Sequence, residues 1–155
     1  MASILLDSVS VTRSGNQVIH DLTLSVEDRE LLVLIGPSGC GKTSILRAVA
    51  GLDGISGGDI QFDGRSMDNV AASRRDIAMV FQDNALIPNK SVRSNVAFPL
   101  EVRRVGREEI GQRVDAEART LNIERFLDRM PERLAAGHQQ LVQAARALVR
   151  RPSVF

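Results

Sequence analysis

The segment from Gly36 to Thr43 is the feature that most constrains this chain. It reads Gly-Pro-Ser-Gly-Cys-Gly-Lys-Thr and matches the pattern G-x-x-x-x-G-K-[ST] at every fixed position. The apolar run Leu31–Ile35 precedes it, as expected for a buried parallel strand. After it, Ile45 and Val49 recur at helical spacing, and Gly51 is placed to end that helix. The sequence therefore predicts a strand, a glycine loop and a helix in succession.

The chemistry of this motif follows from its backbone. Glycines allow successive N–H groups to point inward around an anion, and the N-terminus of the next helix adds partial positive charge. Lys42 is expected to bridge the β- and γ-phosphates of a nucleotide, and the Thr43 hydroxyl to bind Mg²⁺. The residues expected to contact the cofactor are Gly36, Pro37, Ser38, Gly39, Cys40, Gly41, Lys42, Thr43 and Ser44. The alternative, a glycine-rich turn before an unrelated helix, does not account for the matching flanks.

Composition bounds the class of protein. A chain of 155 residues that is 43% hydrophobic favours one domain with a sizeable core. No apolar run is long enough to span a membrane, and the N-terminus lacks the basic start of a secretion signal. The formal net charge of +1 argues neither for nor against a nucleic-acid partner, and none is expected. Cys40 is the only cysteine, which excludes an intramolecular disulfide and fits a reducing cytoplasm.

The first half of the chain has the pattern of short strands around the glycine loop. Alternation and turn residues predict a small antiparallel layer, and a second unbroken apolar run predicts another buried strand that ends at Gln82. The strands are expected at Ile4–Val11, Leu22–Val26, Ile60–Phe62 and Ile77–Phe81, with turns at Ser14-Gly15-Asn16 and Asp63-Gly64.

From about Ser91 the apolar spacing becomes helical. Val92, Val96 and Leu100 share one stripe, which is expected to break at Pro99. A charged second helix is expected around residues 110–121, followed by a short third at residues 123–127.

The C-terminal stretch predicts one more helix and the start of a strand. A loop is expected from Pro131 to Gly137, followed by a helix from Gln139 to Arg151. Its inward residues are expected to be Leu141, Ala145 and Leu148. Pro152 ends this helix, and Val154-Phe155 begins a further strand.

In this order the pieces resemble an ABC-type ATPase, the nucleotide-binding subunit of an ATP-driven transporter. The stretch 75–82 resembles that family's strand into its Q-loop, and residues 85–98 resemble the importers of sugars and glycerol phosphate. The resemblance covers residues 4–155 and implies an α/β P-loop NTPase of ABC type, with a small antiparallel β layer and a helical subdomain. Residues 1–155 would form one partial nucleotide-binding domain. Its parts would be the β layer, P-loop core and Q-loop (1–90), the helical subdomain (91–133), and the signature region with the following helix (134–155).

The resemblance also implies a function. The subunit would couple ATP binding and hydrolysis to solute import, with ATP and Mg²⁺ as cofactors. Gln82 would be the catalytic residue and, with Thr43, would contact the metal. The implied partners are transmembrane permease subunits, bound through the Q-loop and the helical subdomain, and a second ATPase subunit. The implied location is the cytoplasm, peripheral on the inner face of the cell membrane.

Two departures from the family pattern concern nucleotide contacts. The signature Leu-Ser-Gly-Gly-Gln is replaced by Leu134-Ala135-Ala136-Gly137-His138, which lacks the serine hydroxyl and adds a Cβ where the family has glycine. His138 is expected either to donate a hydrogen bond or to face solvent. Arg13-Ser14 stands where the family stacks an aromatic side chain on adenine, and the chain has no Trp or Tyr.

A third departure concerns hydrolysis. The family's Walker B Asp-Glu pair and switch histidine would follow Phe155. The Asp would hold the Mg²⁺ shell and the Glu would polarise the attacking water. The core sheet is therefore expected to be incomplete in residues 1–155, and this isolated chain is expected to be defective in hydrolysis, as a truncated or degenerate copy.

Three other classes remain for comparison with an importer ATPase. A nucleotide-binding interaction or regulatory module that does not hydrolyse would agree with the altered signature. The DNA-maintenance branch of the same family is disfavoured, because residues 91–133 show no sustained heptads. A GTPase is disfavoured by the absence of an Asn-Lys-x-Asp motif. The transported solute is not encoded in any of these motifs.

Overall fold

The computed structural model describes residues 1–82 and 85–155 of the chain. These residues form two compact units. The first contains residues 1–77 and Val154, and the second contains residues 78–153 and Phe155. Each unit has its own cluster of buried apolar side chains.

The first unit is built on a four-stranded antiparallel sheet with the strand order β2-β1-β3-β4. The strands are β1 (Ile4–Arg13), β2 (Asn16–Val26), β3 (Gly57–Phe62) and β4 (Arg65–Ser66). Both hairpins close through two-residue turns, Ser14-Gly15 and Asp63-Gly64, in which every φ is positive. This is the backbone that two-residue hairpins require, and both predicted turns are confirmed.

Several irregularities interrupt the alternation of this sheet, and two of them carry a residue with positive φ. The pairing with β3 passes from Asp7–Asp59 to Ser10–Gly57, so two residues of β1 lie opposite one residue of β3, and Ser8 has φ 50°. A second irregularity occurs in β2 at Asp21, with φ 42°. The Asp21 amide donates to Ser10 Oγ at 3.1 Å, and that hydroxyl donates to Asp21 Oδ1 at 3.1 Å.

The predicted helix after the glycine loop is confirmed as α1 (Lys42–Val49). It is followed by Gly51 at φ 72°, the left-handed conformation that commonly follows a helix end. The end of α1 packs with the sheet in one apolar core. The buried members of this core are Leu6, Val9, Val11, Ile19, Ala48, Val49, Ile60, Phe62 and Val154.

The strand predicted at residues 31–35 does not form. These residues have no regular structure, and Leu31, Val33 and Ile35 are 87%, 66% and 91% exposed. A strand exists only through the ladder that a neighbour supplies, and none of the described residues pairs with this run. Of the strand predicted at residues 77–81, only Ile77 pairs, in a parallel bridge with Val154.

The second unit is helical. Its helices are α2 (Val92–Val102), α3 (Arg107–Thr120) and α4 (Ala136–Leu148), with short 3₁₀ turns at Glu124–Phe126 and Pro131–Arg133. The predicted stripe Val92, Val96 and Leu100 is confirmed as fully buried. It packs against Val114, Ala118, Ile123, Phe126, Leu127, Leu134, Val142, Ala145 and Val149. None of the helices among the described residues is both long and apolar enough to cross a membrane.

Three predictions for this unit were wrong. Helix α2 continues through Pro99 to Val102 instead of breaking there. Helix α4 begins at Ala136, so Gly137 lies in its first turn and not in a loop. Leu141 is exposed, and Val142 and Val149 take the inward positions beside Ala145.

Candidate functional site

The glycine loop of the first unit ends in a helix N-terminus without a capping group. Gly39 and Gly41 have φ of 84° and 96°, and Gly41 is the N-cap residue of α1. No side chain among the described residues caps this end, and the first turn of α1 contains no acidic residue. The free amides and the partial positive charge at the start of α1 therefore lie at an exposed loop. No acidic side chain in the first turn of the helix neutralises them.

The loop is too tight for side chains at two of its glycines. A Cβ on Gly41 would lie 2.5 Å from Ile19 Cδ1 and 3.3 Å from the Val18 carbonyl oxygen. A Cβ on Gly36 would lie 2.8 Å from Cys40 Sγ. At Gly41 the φ of 96° itself favours glycine, whereas the contact at Gly36 is with a side chain and not with backbone. Residues 36–43 are called the cradle below.

Lys42 places its ammonium over the same loop. Its Nζ donates to the carbonyl oxygens of Gly36 and Pro37 at 2.8 and 2.7 Å, and lies 3.5 Å from Cys40 Sγ. Thr43 is exposed whereas Ser44 is buried, so Thr43 carries the more accessible hydroxyl. A phosphate with an associated cation could bind here. The Lys42 ammonium and the uncapped N-terminus of α1 suit the phosphate, and the Thr43 hydroxyl suits the cation.

The other end of α1 is held by an arginine that sequence reasoning missed. Arg75 donates through Nη1 to the carbonyl oxygens of Ala48 and Val49 at 3.0 and 2.8 Å. Its Nε and Nη2 donate to Val70 O and Met67 O at 3.0 and 2.9 Å. Burial lowers the pKa of Arg75, and these bonds to backbone carbonyls compensate for its lost hydration.

An ion pair closes the turn that follows α1. Arg47 donates two parallel hydrogen bonds to Asp53, both at 2.8 Å. The hydrogen bond from Arg47 holds the pKa of the Asp53 carboxyl below its ordinary value. This pair and Arg75 both make contacts at the C-terminal end of α1, the helix that carries Lys42 at its start.

Gln82, the expected catalytic glutamine, lies in the second unit. It is exposed and follows the irregular stretch 78–81, in which Val80 and Phe81 are also exposed. Thr43, the other expected metal contact, belongs to the first unit. The described residues contain no group of three or more His, Cys, Asp or Glu side chains that could hold a metal by itself.

The altered signature forms the start of α4. Ala135 is the N-cap residue, and its carbonyl accepts from the amides of His138 and Gln139 at 2.9 and 3.1 Å. No described side chain caps this end. Leu134 is buried, whereas Ala135, Ala136 and Gly137 are exposed.

His138 has a role that its sequence context did not reveal. Its ring lies 4.4 Å from the ring of Phe126, centroid to centroid, at an interplanar angle of 48°. The guanidinium carbons of Arg125 and Arg129 lie 4.7 and 5.3 Å from the same Phe126 centroid. The sequence expectation offered a hydrogen bond or a solvent-facing ring, but the half-buried His138 packs on Phe126 and so links α4 to the 3₁₀ turn.

These features define a phosphate-loop protein with an attached helical unit, and comparison with known proteins identifies the class. The family model described as ABC transporter matches residues 19–155, so the chain belongs to the ABC transporter family. Its structure is similar to that of cbiO1 from Clostridium perfringens, part of the ABC transporter complex cbiONQ. That likeness has a TM-score of 0.87 and 26% identity, and covers 96% of this chain and 62% of that chain.

Among individual proteins, the chain is similar to the sn-glycerol-3-phosphate import ATP-binding protein UgpC of Paracoccus denitrificans (strain Pd 1222). The two are 46% identical over 155 residues, which are 100% of this chain and 44% of UgpC. It is equally similar, at 46%, to the uncharacterized ABC transporter ATP-binding protein YurJ of Bacillus subtilis (strain 168), of which it covers 42%. The chain thus spans less than half the length of these relatives.

Proposed function

We propose that this chain is the ATP-binding part of an ABC importer subunit, which couples ATP to the import of a solute related to sugars or glycerol phosphate. The observation that carries the proposal is the glycine cradle at the capless start of α1, with the Lys42 ammonium over it. The solute class rests on the similarity to UgpC, which is named as an sn-glycerol-3-phosphate import ATP-binding protein.

The residues of the cradle fit a nucleotide phosphate with Mg²⁺. Gly39 and Gly41 have positive φ, and a Cβ at Gly41 would lie close to Ile19 and the Val18 carbonyl. Neither glycine has a side chain, so the donors that they offer to a phosphate are backbone amides. Lys42 would exchange its two carbonyl acceptors for phosphate oxygens. The side-chain oxygens of Thr43 and Gln82 would be ligands of the metal. Mg²⁺, when bound, would neutralise part of the charge on the phosphates.

The partners follow from the same proposal. Permease subunits in the membrane would bind the surface that contains Gln82 and the helical unit, and a second ATPase subunit would face the signature residues 134–138. No nucleic acid takes part. The subunit would work in the cytoplasm, peripheral on the inner face of the membrane.

Replacing Lys42 by alanine is the test of this site. The change removes a charge-assisted contact, so Mg-ATP binding should weaken by about 1.5–3 kcal/mol. Isothermal calorimetry on folded protein measures the loss. Lys90→Ala is the matched control, because Lys90 is the only other lysine and lies in the second unit. Equal affinity of the Lys42→Ala and Lys90→Ala variants for Mg-ATP would refute the assignment.

Hydrolysis is expected to be absent from residues 1–155 alone. Phosphoryl transfer to water needs a held metal and a positioned water, and Gln82 by itself cannot provide both. A phosphate-release assay should show background rates, and Mg-dependent turnover above the Lys42→Ala variant would contradict this expectation.

A non-hydrolysing interaction or regulatory module is the second candidate. The exposed Ala135 and Ala136 favour it, because neither supplies the hydroxyl donor or the open backbone of the family signature. The phosphate-release assay distinguishes the two candidate functions when it is run on a chain extended by a family Walker B segment. Restored turnover favours the importer ATPase, and nucleotide binding without turnover favours the module.

A further inference from the structure

Helix α1 has only 8 residues, although the proposed phosphate site lies at its first turn. An isolated helix of this length is marginal in water, because few hydrogen bonds offset the cost of forming the first turn. Its buried side chains are Ser44, Ala48 and Val49, and two of these three lie in the last turn. The helix therefore depends on contacts made at its C-terminal end.

Arg75 supplies polar contacts at that end. Its guanidinium donates to the carbonyl oxygens of Ala48 and Val49, in the last turn of α1, at 3.0 and 2.8 Å. It also donates to the carbonyl oxygens of Met67 and Val70, in the loop after β4, at 2.9 and 3.0 Å. A cation at a helix C-terminus satisfies carbonyls that lack a partner within the helix and interacts favourably with its dipole. One side chain thus joins the end of α1 to a loop of the same unit.

Loss of these bonds should reach the phosphate site through the helix. A hydrogen bond from a charged donor can change an equilibrium constant by about 10- to 100-fold, so its removal favours fraying of the last turn. Fraying would leave little more than one turn, and the first amides of α1 and Lys42 would lose the fixed geometry that suits a phosphate. The apparent affinity for phosphate then falls with the fraction of molecules in which α1 is intact.

We propose that Arg75 is a positioning residue for the phosphate site, which it stabilises by holding the C-terminal end of α1. The proposal rests on the proposed function, because it assumes that the start of α1 binds the phosphates of a nucleotide. The attachment of α1 to the loop after β4 does not depend on nucleotide. Arg75 itself is not expected to touch ATP, because its acceptors on α1 lie at the opposite end of the helix from Lys42.

Amide hydrogen exchange of the nucleotide-free protein tests the attachment. In Arg75→Met, the amides of Val49 and Ala50 should exchange about tenfold faster, or more, relative to the amide of Leu6 in the sheet. Arg74→Met is the matched control, because it removes the same charge from the adjacent, exposed arginine. It should leave the ratio of the exchange rates unchanged. An unchanged ratio in Arg75→Met overturns the proposal.

Calorimetry with Mg-ATP, at a temperature where every variant is folded, tests the effect on the phosphate site. The dissociation constant should rise about tenfold in Arg75→Met and stay at the parent value in Arg74→Met. Gly58→Ala separates positioning from a general loss of stability, because its Cβ would overlap backbone atoms of β1 and so destabilise the sheet of the same unit. Folded Gly58→Ala should keep the parent dissociation constant. Equal dissociation constants for Arg75→Met and Gly58→Ala overturn the proposal.

The outcomes distinguish this proposal from the proposed function. Mg-ATP binding by the parent with an unchanged dissociation constant in Arg75→Met overturns the positioning role and leaves the nucleotide site intact. Absence of Mg-ATP binding by the parent overturns the proposed function and, with it, the role of Arg75. If Arg75→Met does not fold, Arg75→Lys decides the question. Its single ammonium keeps the charge without the planar fork of donors, so the dissociation constant should still rise by about threefold or more. An unchanged value in Arg75→Lys overturns the proposal.

Discussion

Replacement of Phe126 by alanine should lower the free energy of unfolding of the second unit by about 3–5 kcal/mol, the usual cost of removing a buried aromatic ring. The ring is 6% exposed and belongs to the main apolar core of this unit. It also supports His138 at 4.4 Å and lies under the guanidinium groups of Arg125 and Arg129. The loss therefore combines a cavity with three aromatic and cation–π contacts.

Two variants distinguish these contributions. Phe126→Leu refills most of the cavity and should cost about 1–2 kcal/mol, because it loses mainly the ring contacts. Phe98→Ala removes the same atoms from a side chain that is 37% exposed, and should cost less than Phe126→Ala. Urea titrations followed by the NMR amide signals of Val96 and Val142 report on this unit alone. Equal losses for Phe126→Ala and Phe98→Ala would contradict the packing described for Phe126.

Local chemistry made part of the fold predictable. The hairpin turns at Ser14-Gly15 and Asp63-Gly64 follow from residues that tolerate positive φ, and the glycine loop and α1 follow from a motif with fixed spacing. The stripe of Val92, Val96 and Leu100 was equally clear, because helical spacing needs no knowledge of the partner. In each case the cause lies within a few residues along the chain.

Features that depend on distant partners were not predictable in this way. The apolar run at residues 31–35 has the composition of a strand, but pairing requires a neighbour that none of the described residues provides. In α4, Leu141-Ala145-Leu148 and Val142-Ala145-Val149 both have helical spacing. Only the packed core shows that the second set faces inward.

The break expected at Pro99 illustrates a competition between local and tertiary terms. Proline removes one hydrogen bond of the helix interior and disfavours the preceding turn. Val96 and Leu100, on either side of it, are 1% exposed and lie in the core of the unit. Burial of these residues outweighs the local penalty, so α2 continues to Val102.

In the candidate site, too, features with a local cause were predictable and features that depend on distant residues were not. The sequence motif identified the cradle and Lys42, but not the side chains that hold its surroundings in place. Arg75 donates to the backbone carbonyls of Ala48 and Val49, which lie far from it along the chain, and such contacts have no periodicity or motif. In the sequence Arg75 is simply one arginine next to another, Arg74, and nothing marks it as the one that holds a helix end.

In the sheet of the first unit, replacement of Gly58 by alanine should cause a large loss of stability. Its φ is 79°, and a Cβ there would overlap the carbonyl groups of Asp7 and Ser8 across the bulge of β1. Those are backbone atoms, so they cannot move aside as the end of a flexible side chain would. Gly58→Ala should therefore cost about 3 kcal/mol or more, from the strain of a left-handed alanine and the displacement of the bulge.

The adjacent glycine is the matched control for this prediction. Gly57 has no positive φ, and a Cβ there would lie 3.7 Å from Ser10 Cβ, an ordinary contact. Gly57→Ala should change the free energy of unfolding by less than about 1 kcal/mol. The chain has no Trp or Tyr, so urea unfolding is best followed through the NMR amide signals of Leu6 and Ile60. Similar stability of the two variants would show that the bulge yields to a side chain, and that close approach of β1 and β3 does not require glycine at position 58.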